Sequence, residues 1–388
     1  MRKSLYFLGR FNTVCGVSTY TEQLAEGFLS NGWTVEAFAS DHSKIYKLPS
    51  RAPIKNVPCF SLWSEDGSLC LVTEEIKRRP PGALHIQHEH GIFRNIDALI
   101  KLQEDVRRFA PSVKIIATLH TLTDSLSTKM AEFLSNLDGI IIHTERGKAA
   151  LSRMLSFRDP IPIRMIPHGM LKPVIKLEKQ FARHLLGLPE NENHIVALSL
   201  GFIHSSKQHM VMLQVLGELI KTGKISASQI TLLIAGLPQP ANSGGMALVN
   251  RLESYAKEIG ISKSLSIHPI FVSDKSLNTF YSAADFCLHC RKGGGYSSSG
   301  SIRMDLSHKM PVLTSRSGIT SDLPNDVVCF YDSDMDMMPH LEMIINDAQK
   351  RYELSQNARD YANQHTWDNT AKKHISFYET IDLTSRGS

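Results

Sequence analysis

Two strand-to-helix junctions, one serine-rich loop and one strand-end histidine carry the side chains of this chain best suited to chemistry. Gly9-Arg10-Phe11-Asn12-Thr13-Val14-Cys15-Gly16-Val17 joins an apolar run to a helical one. Leu198-Ser199-Leu200-Gly201-Phe202-Ile203-His204-Ser205-Ser206-Lys207 repeats that arrangement later in the chain. A helix N-terminus presents unpaired N–H groups and partial positive charge, so phosphate or hydroxyl oxygens dock there. Gly16 would let backbone N–H groups approach such a ligand closely. Lys207 at its helix entry offers a point charge to a diphosphate. Plainer readings compete with both: a helix-starting glycine that only packs, and a solvated lysine. The third stretch, Ser297-Ser298-Ser299-Gly300-Ser301-Ile302-Arg303-Met304-Asp305, follows Gly293-Gly294-Gly295 and reads as a loop opening onto a helix.

Histidines mark two further positions. Ile115-Ile116-Ala117-Thr118-Leu119-His120 ends a buried strand with an imidazole, a place from which a side chain can hydrogen-bond to a substrate, although a lone histidine is usually structural. His85-Ile86-Gln87-His88-Glu89-His90 has the composition of a metal site, yet on a strand His88 and His90 share one face and His85 takes the other. No HExxH helix or second ligand cluster completes it. A polar strand end at the rim of a binding site, with His88 and Glu89 exposed to an acceptor, is the better expectation. No GxGxxG fingerprint for nicotinamide or flavin cofactors is present. Cys287 and Cys290 form a CxxC without a second pair, which fits reduced thiols better than zinc or a disulfide.

The elements that must position these residues follow from the periodicity. Apolar runs at Leu5–Gly9, Trp33–Ala39, Ala83–His88, Val113–Leu119, Gly139–His143 and Ile163–Ile166 alternate with helical patterns, such as Val17, Tyr20, Leu24 and Phe28 on one face. A polar junction over 176–193 precedes a second cycle, with strands at Ile195–Leu200, Ile230–Ala235, Leu265–Ile267, Asp285–His289 and Pro311–Thr314. Tyr361–Ile381 reads as one closing helix. Buried strands alternating with helices predict an α/β chain of parallel sheets covered on both faces, and 388 residues predict two domains. In doubly wound sheets, ligands bind at the carboxyl ends of the strands.

Composition excludes several classes. No run of about 18 apolar residues could span a membrane, and the short apolar start is a strand rather than a signal peptide, so a cytoplasmic chain is expected. Residues 1–175 hold 22 Lys and Arg against 17 Asp and Glu, whereas the remainder holds 21 of each. The basic first half suits an anionic acceptor or peripheral contact with the inner face of a membrane; a slightly basic solvated surface explains it equally well. No aromatic-studded basic stripe supports nucleic acid as a partner.

Assembled, these residues resemble the retaining glycosyltransferases of group 1, a nucleotide-sugar-dependent family of GT-B fold. The resemblance rests on Gly16-Val17, on Thr118-Leu119-His120-Thr121, and on Ile166-Pro167-His168-Gly169 closing the first half. Later it rests on Gly201 with Lys207, Ala235-Gly236, Ser282-Ala283-Ala284-Asp285, and Ser299-Gly300 followed by Pro311-Val312. It implies two Rossmann-like domains facing a central cleft: residues 1–172, rejoined by a final helix at about 366–388, for the acceptor, and 173–365 for the donor. It further implies that His120 and Lys207 are catalytic, His120 beside the donor sugar and Lys207 on the diphosphate. Gly16, Val17, His204, Ser297, Ser298, Ser299, Gly300 and Asp305 would line the donor. Transfer would pass through an oxocarbenium-like state with the leaving diphosphate stabilised electrostatically, without cofactor or metal.

Two departures from the family pattern stand out. His204 replaces the arginine expected before Lys207, and the family's Glu-x7-Glu becomes Ser297-x7-Asp305. Histidine lacks the forked, permanent charge of arginine, and serine lacks a carboxylate's strength as an acceptor. Asp305 would still accept from ribose hydroxyls. The expected activity is transfer of a hexosyl or related unit to a glycan, a lipid-linked sugar or a small molecule. The alternative is a degenerate relative that binds a nucleotide sugar or a partner protein without turnover. An epimerase on the same fold would need paired carboxylates that are not evident.

Overall fold

The computed structural model describes residues 2–384 apart from 12, 14, 41–54, 60–68, 157–159, 173–175, 239–243 and 292–294. Two compact units emerge, one of residues 1–169, 295–300 and 365–388 and the other of 170–294 and 301–364.

The first unit contains β1 (Ser4–Gly9), α1 (Gly16–Ser30), β2 (Thr34–Ser40), β3 (Lys55–Cys59), α2 (Cys70–Arg78), β4 (Ala83–His88) and α3 (Ile96–Phe109). β5 (Lys114–Leu119), β6 (Thr121–Leu122), α4 (Thr128–Ser135), β7 (Gly139–Ile142), α5 (Glu145–Met154) and β8 (Ile163–Met165) follow. Seven strands form one sheet in the order β3-β2-β1-β4-β5-β7-β8, all pairs parallel. Every residue of β4, β5 and β7 is buried, as a sheet covered by helices on both faces requires. The chain runs outward from β1 through β2 and β3, then restarts at β4 and runs the other way. The loop after β1 therefore lies at the switch point.

The second unit contains α6 (Lys179–Leu185), β9 (Ile195–Leu200), α7 (His209–Lys221), β10 (Ile230–Ala235), α8 (Gly245–Glu258), β11 (Leu265–His268), α9 (Asp274–Ala283) and β12 (Phe286–His289). Whereas β13 (Tyr296–Ser297) and the last helix, α13 (Trp367–Thr384), belong to the first unit, the second continues with α10 (Gly300–Ser307), β14 (Val312–Ser315), β15 (Cys329–Tyr331), α11 (Asp334–Asn346) and α12 (Ala348–Gln364). Its parallel sheet has the order β11-β10-β9-β12-β14-β15. Ile195 and Ala197 of β9 join the apolar cluster of α7 and α11 on one face. Val196, Leu198 and Leu200 join Phe280, Ile302 and Leu306 on the other. The switch point falls between β9 and β12.

The structure differs from the sequence expectation in three places. β3 and β15 add edge strands. The closing helix is two, α12 and α13, interrupted at His365 and Thr366. Segment 295–300, expected with the donor domain, groups with the first unit instead, because β13 pairs antiparallel with β6 through Tyr296–Leu122 and Ser297–Thr121. α13 packs along α1, stacking Tyr378 on Phe28 at 5.7 Å between ring centroids. Among the described residues no helix is long and apolar enough to cross a membrane.

Candidate functional site

In the second unit, chemistry gathers at the switch point. Leu200 ends β9, Gly201 turns the chain at φ +111°, and a single 3-10 turn, Ser205–Lys207, leads through left-handed Gln208 into α7. Gly236, after β10, takes φ +151°, and a β-carbon there would overlap the Gly201 carbonyl. A glycine at 236 is what lets these backbones abut. Lys207 folds back so that its Nζ donates to the Leu200 carbonyl at 2.5 Å, and the residue is only 3% exposed. No carboxylate pairs with it among the described residues. Burial, then the charge of Arg291, pushes the Lys207 ammonium down to about 7, while Asp305 acts in the opposite direction.

Arg291 follows β12 and is itself depressed by burial. His204 is half-buried, bonds Ser206 Oγ through Nδ1 at 2.7 Å, and is pushed down to about 4 by burial, Lys207 and Arg291. Buried His209 bonds Ser199 Oγ at 3.2 Å and falls to about 3, chiefly by burial. The neighbourhood thus holds one arginine, one half-charged lysine and neutral imidazoles. It is electron-poor and undersupplied with anions.

Asp305 lies behind this cluster, fully buried. Its Oδ1 accepts from the Tyr281 hydroxyl at 2.8 Å and its Oδ2 from His289 Nε2 at 2.5 Å. Both oxygens are therefore engaged by protein, so the carboxylate expected to meet ribose hydroxyls faces the interior. Burial and then the Asp305 charge hold Tyr281 and Cys287 protonated. Cys287 and Cys290 are both buried and unbridged. Cys290 Sγ donates to Gln208 Oε1 at 3.3 Å.

In the first unit, His120 follows β5 and is 9% exposed. Its Nε2 meets Gln87 Oε1 at 2.8 Å, and Tyr20 packs edge-on at 4.7 Å between centroids. Burial, then His143 and His168, holds the imidazole well below its ordinary pKa, so it is neutral. Ser297 Oγ donates to the His120 carbonyl at 2.5 Å, so this serine fastens its loop rather than presenting its hydroxyl. Ser298 Oγ is enclosed without a hydrogen-bond partner among the described residues, Ser299 is buried, and Gly300 opens α10.

Gly16 opens α1 with nothing among the described residues within 4 Å of where its β-carbon would sit, and the Cys15 N-cap supplies no side-chain bond. Val17 is half-buried and packs against the core. His88 is not at a rim: it is fully buried in the sheet, stacks on Phe93 at 5.7 Å, and is pushed down to about 3 by burial and His90. Glu89 accepts from the Gly91 N–H at 2.7 Å. Gln87, His289, Tyr281 and Arg291 escaped the sequence reading. Nothing in the apolar periodicity marks them; only the strand order puts β12 beside β9 and β5 beside β4.

No protein-family model and no curated protein matches the chain. Solved structures do. A glycosyltransferase from Rickettsia africae superposes with a TM-score of 0.77 at 14% identity, covering 98% of each chain. Sucrose-phosphate synthase from Thermosynechococcus elongatus gives 0.72 at 17%, covering 99% of this chain and 100% of the other. Anabaena HepE, in complex with UDP and glucose, gives 0.71 at 13%, covering 98% and 100%. Such likeness over the full length of each chain shows one thing: this protein has the GT-B glycosyltransferase fold.

Proposed function

We propose that the chain transfers a sugar from a nucleotide-sugar donor to an acceptor hydroxyl with retention of anomeric configuration. The observation carrying this reading is Lys207, a buried amine without a carboxylate partner among the described residues, beside Arg291 at the switch point of the second sheet. A diphosphate supplies the missing negative charge. As the glycosidic bond to the diphosphate lengthens, charge grows on the departing oxygens, and a preorganised cation in a water-poor setting stabilises it more than it stabilises the ground state. The neutral imidazole of His120 takes part as a hydrogen-bonding group on a sugar hydroxyl. Lys207 and Arg291 carry the positive charge, so the reading invokes no metal ion. HepE is described in complex with UDP-glucose, which makes uridine the first base to test.

A second reading, nucleotide-sugar binding without turnover, draws on Asp305 and Ser297, whose polar atoms are engaged by protein. One experiment separates the two. Thermal shift against nucleoside diphosphates and their sugars identifies the donor, and proton NMR then follows the anomeric signal of that donor with candidate acceptors. Transfer giving product of the donor's configuration supports the first reading. Binding with neither transfer nor hydrolysis supports the second, and stabilisation by no nucleotide sinks both.

A further inference from the structure

His85 and Gln87 are two residues apart on β4 and share one face, and Gln87 stands opposite Thr118 in the β4–β5 register. All three are fully buried. Gln87 Oε1 lies 2.8 Å from His120 Nε2, and Gln87 Nε2 lies 3.4 Å from His85 Nε2. Thr118 Oγ1 approaches His85 Nε2 at 2.7 Å, and the Tyr378 hydroxyl of α13 approaches His85 Nδ1 at 2.7 Å. These contacts form one buried chain from the C-terminal helix to the end of β5.

An amide oxygen only accepts and an amide nitrogen only donates. His120 Nε2 must therefore carry the hydrogen, while His85 Nε2 is bare and receives Thr118 and Gln87. The hydrogen of His85 sits on Nδ1 and is donated to Tyr378. With Nε2 committed, His120 Nδ1 is left unprotonated, and it has no protein hydrogen-bond partner among the described residues.

We propose that Gln87 is a positioning residue that fixes His120 as its Nε2–H tautomer, so that Nδ1 serves only as a hydrogen-bond acceptor for a substrate hydroxyl. The tautomer stands on the geometry of the first unit alone; the hydroxyl it receives rests on the transferase reading above. Burial keeps both imidazoles neutral, so the tautomer rather than a charge decides what His120 recognises. A site tuned this way selects a donor or acceptor with a hydroxyl at that point over its deoxy analogue, because a bare buried nitrogen facing no donor is costly.

The test is nitrogen-15 NMR of the full chain labelled at histidine, with the His120 signals assigned by their loss in His120→Asn. A protonated Nε2 and bare Nδ1 at neutral pH are expected. A protonated Nδ1, which an amide turned the other way would produce, overturns the proposal, as does an imidazolium. Gln87→Leu removes the acceptor, and both tautomers should then appear; one unchanged tautomer overturns Gln87 as the cause. With UDP-glucose as the probe donor, Gln87→Leu should lower kcat roughly 10- to 100-fold with Kd held within about twofold. Gln87→Glu, which keeps an acceptor oxygen, should retain the Nε2–H tautomer and recover part of the rate. If no sugar is transferred by the unaltered chain, the transferase reading fails while the NMR still decides the tautomer.

Discussion

His289 Nε2 sits 2.5 Å from Asp305 Oδ2 inside the second unit, and Tyr281 holds the other carboxylate oxygen at 2.8 Å. A carboxylate with both oxygens engaged and no exposure is a fixed internal post. It orients the imidazole that ends β12, one residue pair before Arg291, and so holds the wall behind Lys207.

Asp305→Ala should therefore cost stability first. It leaves Tyr281 and His289 without their acceptor in a buried space, a loss of roughly 3–5 kcal/mol. Denaturant unfolding should show a lower midpoint for the second unit, and Asp305→Asn, which keeps one acceptor, should lose less. An unchanged midpoint together with weakened nucleotide affinity would return Asp305 to a ligand-facing role.

Binding at Lys207 should depend on pH. Its folded pKa, about 7 against an ordinary 10.5, is set by burial and Arg291, with Asp305 opposing and His204 and His209 neutral. Below pH 7 the amine is already charged when the diphosphate arrives. Above it, binding must draw a proton from solvent, so affinity falls as pH rises, by up to about tenfold per unit. A nucleotide sugar is the ligand to use, since its diphosphate does not titrate in that window. Calorimetry in buffers of different ionisation enthalpy should register proton uptake, and Lys207→Ala should abolish both the uptake and most of the affinity. Equal affinity at pH 6 and 9 would contradict the assignment.

His120→Ala should reduce turnover about 10²-fold or more while leaving nucleotide affinity nearly intact. Because burial holds the imidazole well below its ordinary pKa, the rate of the unaltered chain should show no ionisation of His120 around neutral pH. Full residual transfer in the variant would remove this histidine from the reaction.

Gly236→Ala should strain the site from its backbone. An added methyl meets the Gly201 carbonyl, and φ +151° suits no other residue. A loss of roughly 2–4 kcal/mol is expected, with weaker nucleotide binding as the Gly201 turn shifts under Lys207. A variant with unaltered melting temperature would show that the two strand ends do not meet this closely.

The sequence by itself determined the buried central strands. Continuous apolar runs such as Ile195–Leu200 and Ile230–Ala235 bury both faces, so their periodicity reads as parallel sheet without any knowledge of neighbours. The edge strands β3 and β15, short and less distinctive, did not announce themselves. Lys207 and His120 were legible because each follows a recognisable strand end.

What only the tertiary structure decided is which polar atoms were already taken. Asp305 reads as a helix-start carboxylate, and Ser297 as a free hydroxyl, until Tyr281, His289 and the His120 carbonyl are placed beside them. Gln87 reads as an unremarkable strand residue until β5 brings His120 alongside and α13 brings Tyr378 to His85, from 293 positions away. A side chain's type is local, but its hydrogen-bond partners come from strand order and helix docking. Burial then turns those partners into the choice of proton position and charge.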